Sequence, residues 1–319
     1  MTRTYATPLA FKAALEAHIA ERARASGRTM NRVRQLLVME RFLVRVFESL
    51  DGVVLKGGLV MELRLERART TRDIDLRVTV DEAGLLDRLR QAARLALGDH
   101  LAFEVERDAG HPTIEGDGLR YEGQRFRVTA SLAGRRYGDI FGVDIAIGEP
   151  IVGSPQRIDG NDLLTFVGLP VPVFRAYPVA THVAEKLHAY TMPRPRTNSR
   201  VKDLPDLALL ATLEDLDSAT LRGAVAETFA HRRTHDVPAS LPTPPSTWEP
   251  VYARMAVGDD LPWRTLGDLV DAVRAFLDPV LAGTTGRWEP QAWSWRREQD
   301  ALEPENADND ANGPPGHDR

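Results

Sequence analysis

The sequence predicts an α+β protein, with a mixed-sheet lobe in its first half and a helical lobe in its second. Three observations carry that expectation. Residues 8–26 and 30–50 repeat apolar side chains at helical spacing, residues 54–147 interleave short strand-like runs with Gly-containing turns, and after Pro178 helical periodicity takes over. The chain has 319 residues, 43% hydrophobic and 27% charged, with a mean hydropathy of −0.30, which suits a soluble globular protein of two domains.

The elements follow in order. The second helix is marked by Val33, Leu36, Leu37, Met39, Phe42, Leu43, Val46, Phe47 and Leu50 on one stripe. The pattern breaks at Asp51-Gly52, after which residues 53–56 read as a short buried strand, Gly57-Gly58 as a turn and residues 59–67 as a helix. Residues 73–80 alternate like a strand, Asp81 is placed to cap a helix over 82–97, and three further strands fall within 101–108, 125–133 and 139–148. Residues 179–191, 204–212, 218–233 and 265–283 then read as helices of an all-helical second half, with Pro-rich loops expected over 192–203 and 236–250. This divides the chain into an α/β lobe with its leading helices (1–175), a helical lobe (176–297) and an acidic tail (298–319) too poor in apolar residues to order itself.

Composition excludes several classes. The absence of Cys rules out a disulfide framework, a thiolate zinc site and a cysteine nucleophile, and it fits a reducing compartment. No apolar run approaches the roughly 20 residues of a membrane-spanning helix, and the first residues lack the apolar core of a secretory signal, so the cytoplasm is expected. The net charge of −5 hides an asymmetry: residues 1–72 carry 14 Lys/Arg against 7 Asp/Glu. That segment is either a solvated helix face or a surface for a polyanion. The eight His lack the spacing of a helical metal pair, Ser154 lacks a nucleophile elbow, and Trp248, Trp263, Trp288, Trp293 and Trp295 read chiefly as packing.

The stretch from Val54 to Leu76, VLKGGLVMELRLERARTTRDIDL, carries the chemistry. On a strand, Asp73 and Asp75 project from one face while Ile74 turns into the core. Two carboxylates held so close repel unless a cation joins them, and a hard divalent ion, Mg²⁺ above all, is the natural resident. Taken alone, Asp-x-Asp is equally a solvent-facing pair on an edge strand. Here it follows a strand, Gly-Gly and a helix, a layout in which glycines admit a triphosphate and the helix N-terminus offers free N–H groups. Lys56, Arg69 and Arg72 add positive charge nearby, and Asp144, between Val143 and Ile145, is a candidate third carboxylate on an adjacent strand. Three such acids suit in-line phosphoryl transfer.

These residues resemble the AbiEii/AbiGii-type nucleotidyltransferase toxins, including the MenT group, within the DNA polymerase β-like nucleotidyltransferase superfamily. The resemblance rests on four ordered blocks: Lys56-Gly57-Gly58 with Leu63-Arg64-Leu65; Arg69 to Leu76; Ala184-Glu185-Lys186-Leu187-His188-Ala189; and Arg200-Val201-Lys202-Asp203-Leu204-Pro205-Asp206-Leu207. They span about residues 54–207. The superfamily usually has Ser or Thr after Gly-Gly, where this chain has Leu59, and Thr70 and Thr71 are the nearest hydroxyls in its place.

The resemblance implies a polymerase β-like lobe with a helical lobe behind it and the active site between. It implies transfer of a nucleoside monophosphate from an NTP to an RNA hydroxyl, the tRNA 3′ end, by a monomeric toxin paired with a cognate antitoxin. Alternatives are a same-fold enzyme modifying a protein or small molecule, and a non-catalytic nucleotide-binding module. Asp73, Asp75 and Asp144 are then expected to hold Mg²⁺, and Lys56, Gly57, Gly58, Thr71, Arg72 and Asp206 to bind nucleotide. Lys186 and Asp203 complete the catalytic set. The residues leave plainer roles open: Lys186 as a surface Lys on an amphipathic helix, Asp203 as a helix N-cap, Asp206 as a complement to the helix dipole. Arg194, Arg196, Arg200 and Lys202 form a basic loop between these blocks, either a phosphate grip or a connector.

Overall fold

Helix α1 (Pro8–Ser26) starts where Thr7 accepts a hydrogen bond from Ala10 N and stops at Gly27 in the left-handed region. Helix α2 (Met30–Ser49) follows at once, capped by Thr29, and buries Val38, Met39, Phe42, Leu43 and Val46 against the sheet. The computed structural model describes residues 5–65, 70–79, 84–110, 113–116, 119–193 and 200–297, with backbone alone over 113–116 and 119–122. Arg69, Asp81, Arg194, Arg196 and the expected acidic tail lie outside the described residues.

The first lobe continues as β1 (Val54–Lys56), α3 (Gly57–Arg64), β2 (Asp73–Val78), α4 (Leu85–Ala93), β3 (Leu101–Arg107), β4 (Thr113–Gly116), β5 (Leu119–Leu132), β6 (Arg135–Arg136), β7 (Phe141–Ile147), β8 (Gln156–Asp159) and β9 (Val173–Ala176). Its main sheet runs in the order β3-β5-β7-β2-β1-β9-β8, with β4 and β6 attached to β5. It is mixed, as expected: β2–β7 and β1–β9 pair in parallel and the other pairs are antiparallel. Alternation on β2 and β7 puts Ile74, Leu76, Val143 and Ile145 wholly in the core and leaves the acids on the opposite face. One buried ion cluster braces this lobe, with Arg41 and Arg45 of α2 both donating to Asp99 at 2.7–2.9 Å.

The second lobe consists of α5 (Val179–Thr191), α6 (Asp203–Leu210), β10 (Leu216–Asp217), α7 (Ser218–Arg232), α8 (Glu249–Gly258), α9 (Leu266–Leu281), β11 (Arg287–Glu289) and β12 (Ser294–Arg296). Ala176 belongs to the core of the first lobe, and Val179 opens a second core that takes in Met61 of α3. Trp288 is fully buried in that second core, and Trp288, Trp293 and Trp295 anchor their indole N–H groups on Ala211, Ala272 and Phe276 carbonyls, so these rings pack.

Five expectations are corrected. The second half is not all helical, because β10-β11-β12 form a small antiparallel sheet whose strands of two or three residues are too short to show a period. The 236–250 loop runs into α8, whose Pro250 occupies the first turn, where proline is tolerated. The helix expected over 82–97 is the shorter α4, preceded by Gly84 at φ +78°. Strands β8 and β9 extend the sheet beyond β1, and α3 begins at Gly57 itself.

Candidate active site

Four strands align four charged residues in one row. Lys56 of β1 pairs with Asp75 of β2, Asp75 with Asp144 of β7, and Asp144 with Arg125 of β5. Residues paired across strands share a face, so the order across the sheet is cation, carboxylate, carboxylate, cation. Asp73 lies two residues before Asp75 on the same face, opposite Gly142.

Two glycines make room for the acids. Gly57 sits at φ +70°, and a Cβ there would overlap the Asp75 carboxylate. A Cβ at Gly142 would come within 2.5 Å of Asp73 Oδ1. Gly57 also opens α3, whose N-terminus has no side-chain cap and no acidic residue in its first turn, so its free N–H groups are available to an anion.

The row lies in a cleft of about 300 Å³. Lys56, Gly57, Gly58, Thr71, Asp73, Asp75 and Asp144 line it from the first lobe, and Lys186 and Asp203 line it from the second. Asp206 is buried beneath this surface, and Arg72 is exposed outside it. Lys186 joins the two acids of α6, at 3.1 Å to Asp203 and 2.7 Å to Asp206. Asp203 is the first residue of α6, not its cap, and its carboxylate turns to Lys186. Thr71 is held rather than presented. Its N–H donates to Glu62 Oε2, its hydroxyl donates to the Asp73 carbonyl, and its own carbonyl accepts from Arg32, which also pairs with Glu62.

Burial and charge set the protonation of the site. Burial, then the neighbouring Asp144, push the Asp75 carboxyl up to about 7. Lys56 is engaged with Glu149 and with Glu185 of α5, and Arg232 of α7 pairs with the same two acids at 2.6 and 3.1 Å. Tyr177 donates to Glu149 at 3.1 Å. Burial opposes ionisation of Glu149, but Lys56 and Arg232 outweigh it and hold its carboxyl low, whereas burial and Glu149 push Glu185 up. This network joins β1 to α5 and α7 of the second lobe.

Arg125, Glu149, Tyr177, Arg232 and His182 escaped the sequence reading. Each becomes visible only through register or tertiary packing; Glu185 stood inside a motif block, yet nothing in the sequence showed that it faces Lys56. The donor set of Asp73, Asp75 and Asp144 consists of hard oxygens, and the burial and the Asp144 charge that together raise Asp75 are what a divalent cation offsets, so the chemistry of these residues fits such an ion. Among the described residues, however, no three acidic or imidazole groups stand in a metal-holding arrangement. Arg125 donates through Nε and Nη2 to both Asp144 oxygens at 2.7 Å.

A mixed sheet bearing paired carboxylates beside a glycine-opened helix, with a helical lobe closing the cleft, defines a nucleotidyltransferase, a class whose members generally use a divalent metal. Residues 41–279 match the family described as nucleotidyl transferase AbiEii toxin, type IV toxin–antitoxin system, and the chain belongs to that family. The fold is similar to that of MenT4, a nucleotidyltransferase toxin from Mycobacterium tuberculosis H37Rv, with TM-score 0.52, 16% identity and coverage of 88% of this chain and 94% of that one. A second solved structure, JHP933 from Helicobacter pylori, aligns at TM-score 0.39 and 16% identity over 62% of this chain and 80% of that one. No curated protein matches the sequence. Among the described residues, no helix is long and apolar enough to cross a membrane.

Proposed function

We propose that this toxin transfers a nucleoside monophosphate from an NTP to an RNA hydroxyl, the tRNA 3′ end, and so blocks translation. The observation that carries the reading is the juxtaposition, in one cleft, of the Asp73/Asp75/Asp144 face, the uncapped N-terminus of α3 and Lys186. Gly57 and Gly58 admit the triphosphate against the free N–H groups of α3. Lys186, held between Asp203 and Asp206, meets the phosphate charge as a compact cation from the second lobe. Asp73 and Asp75 with Asp144 would hold Mg²⁺, which would supply charge neutralisation at the phosphoryl group. Asp144 lies on the β5 side of the pair, away from the α3 loop, where it is placed to take the proton of the incoming hydroxyl.

The excess of Lys/Arg in residues 1–72 supports a polyanionic acceptor, and membership of the AbiEii nucleotidyltransferase toxin family supports a catalytic toxin over a binding module. The reading takes the toxin to act as a monomer in the cytoplasm until a cognate antitoxin neutralises it. The test is induced expression of wild type and Asp75→Asn, with labelling of extracted RNA by each α-labelled NTP. Growth arrest and label in tRNA from wild type alone are expected. Label confined to a protein band would move the acceptor to protein and overturn the tRNA reading.

A further inference from the structure

At the edge of the cleft, Asp144 forms an ion pair that is more exposed than the buried pair bracing the first lobe. Arg125 grips both oxygens of Asp144, the carboxylate that stands beside Asp75 in the row. The Arg45–Asp99 pair has both side chains 1% exposed, whereas Arg125 and Asp144 are 34% and 17% exposed and Asp144 lines the cleft. A pair this close to solvent is exchangeable, because each partner regains hydration when the two separate. Arg125 also lies in the field of Asp73 and of Asp108.

We infer that Arg125 is a latch on the third carboxylate: its guanidinium neutralises Asp144 while the site is metal-free and yields Asp144 when a divalent cation binds, so that cation and Arg125 compete for the same two oxygens. The inference rests on the proposed metal role of Asp144. It assigns Arg125 as a positioning residue that acts through Asp144. The latch explains why three clustered acids are tolerated before substrate arrives.

The test is Mn²⁺ binding to the full chain by electron paramagnetic resonance, with Mn²⁺-induced thermal shift as a second readout, for wild type, Arg125→Gln, Asp144→Asn and the double variant. Arg125→Gln is expected to tighten Mn²⁺ binding by about tenfold, the scale at which ligand-orienting partners act, and to enlarge the thermal shift. Asp144→Asn is expected to cancel that gain. Arg125→Lys, which cannot grip both oxygens, is expected to fall between wild type and Arg125→Gln. Weaker or unchanged binding in Arg125→Gln, with Asp144→Asn still weakening it, would overturn the latch alone. No effect of Asp144→Asn in either background would remove Asp144 from the metal site and overturn the latch with it.

Discussion

Asp75 on β2 and Asp144 on β7 stand directly opposite each other in parallel register, two acids on one face of a sheet whose other face is apolar core. Burial and this neighbour push the Asp75 carboxyl up to about 7, so the sheet holds an electrostatic conflict that is useful only if a cation enters.

Asp75→Asn therefore separates function from folding. It is expected to reduce transfer by about 10³-fold or more, as loss of a metal-holding carboxylate does, while leaving the melting temperature unchanged or higher because a buried repulsion is removed. Parallel transfer assays and thermal melts check this, and a variant that unfolds would contradict the account of Asp75 as a strained ligand.

Gly57→Ala is expected to cost both. Its Cβ would overlap the Asp75 carboxylate, and φ +70° is unfavourable for alanine by about 1–2 kcal/mol. Chemical denaturation measures the stability loss, and transfer is expected to fall further than that loss explains because Asp75 itself is displaced.

Lys186→Ala removes the cation shared by two carboxylates of α6 that are 3% and 1% exposed. Breaking such a buried arrangement costs about 3 kcal/mol. In an Asp203→Asn/Asp206→Asn background the same substitution is expected to be nearly neutral for stability and still inactive. Recovery of transfer in that background would make Lys186 a purely structural residue.

Acid sensitivity should trace in part to His182. It is 1% exposed, neither ring nitrogen has a hydrogen-bond partner among the described residues, and burial, then Lys186, hold its pKa well below 6.5. The folded protein keeps it neutral while the unfolded chain takes up a proton below about 6.5, so its contribution is complete above that pH and is lost as pH falls. The slope reaches about 1.4 kcal/mol per pH unit. His182→Leu is expected to flatten this acid limb in urea denaturation at about pH 7.5 and pH 5, and an unchanged limb would show that the titration lies elsewhere.

What the sequence revealed follows from the range of each signal. The Asp73/Asp75 face and the helices α5, α6, α7 and α9 are local patterns of two or 3.6 residues, and the structure forms them close to where the pattern put them. Strands β8 to β12 are two to four residues long, below the length at which alternation is informative. Arg125 was illegible for another reason: its partner is 19 positions away, and only the β5–β7 register brings them together. Likewise Asp203 looked like a cap because it begins a helix, but Lys186 on a different helix claims it.

The central claim is a nucleotide transfer that depends on the carboxylate face. Its most direct test is mass analysis of tRNA 3′ ends after incubation with wild type, Mg²⁺ and each NTP, with released pyrophosphate quantified in the same tube. Wild type is expected to lengthen the 3′ end with one pyrophosphate released per nucleotide added, and Asp73→Asn/Asp75→Asn to do neither. Extension by the double variant, or pyrophosphate release without any gain in tRNA mass, would contradict it.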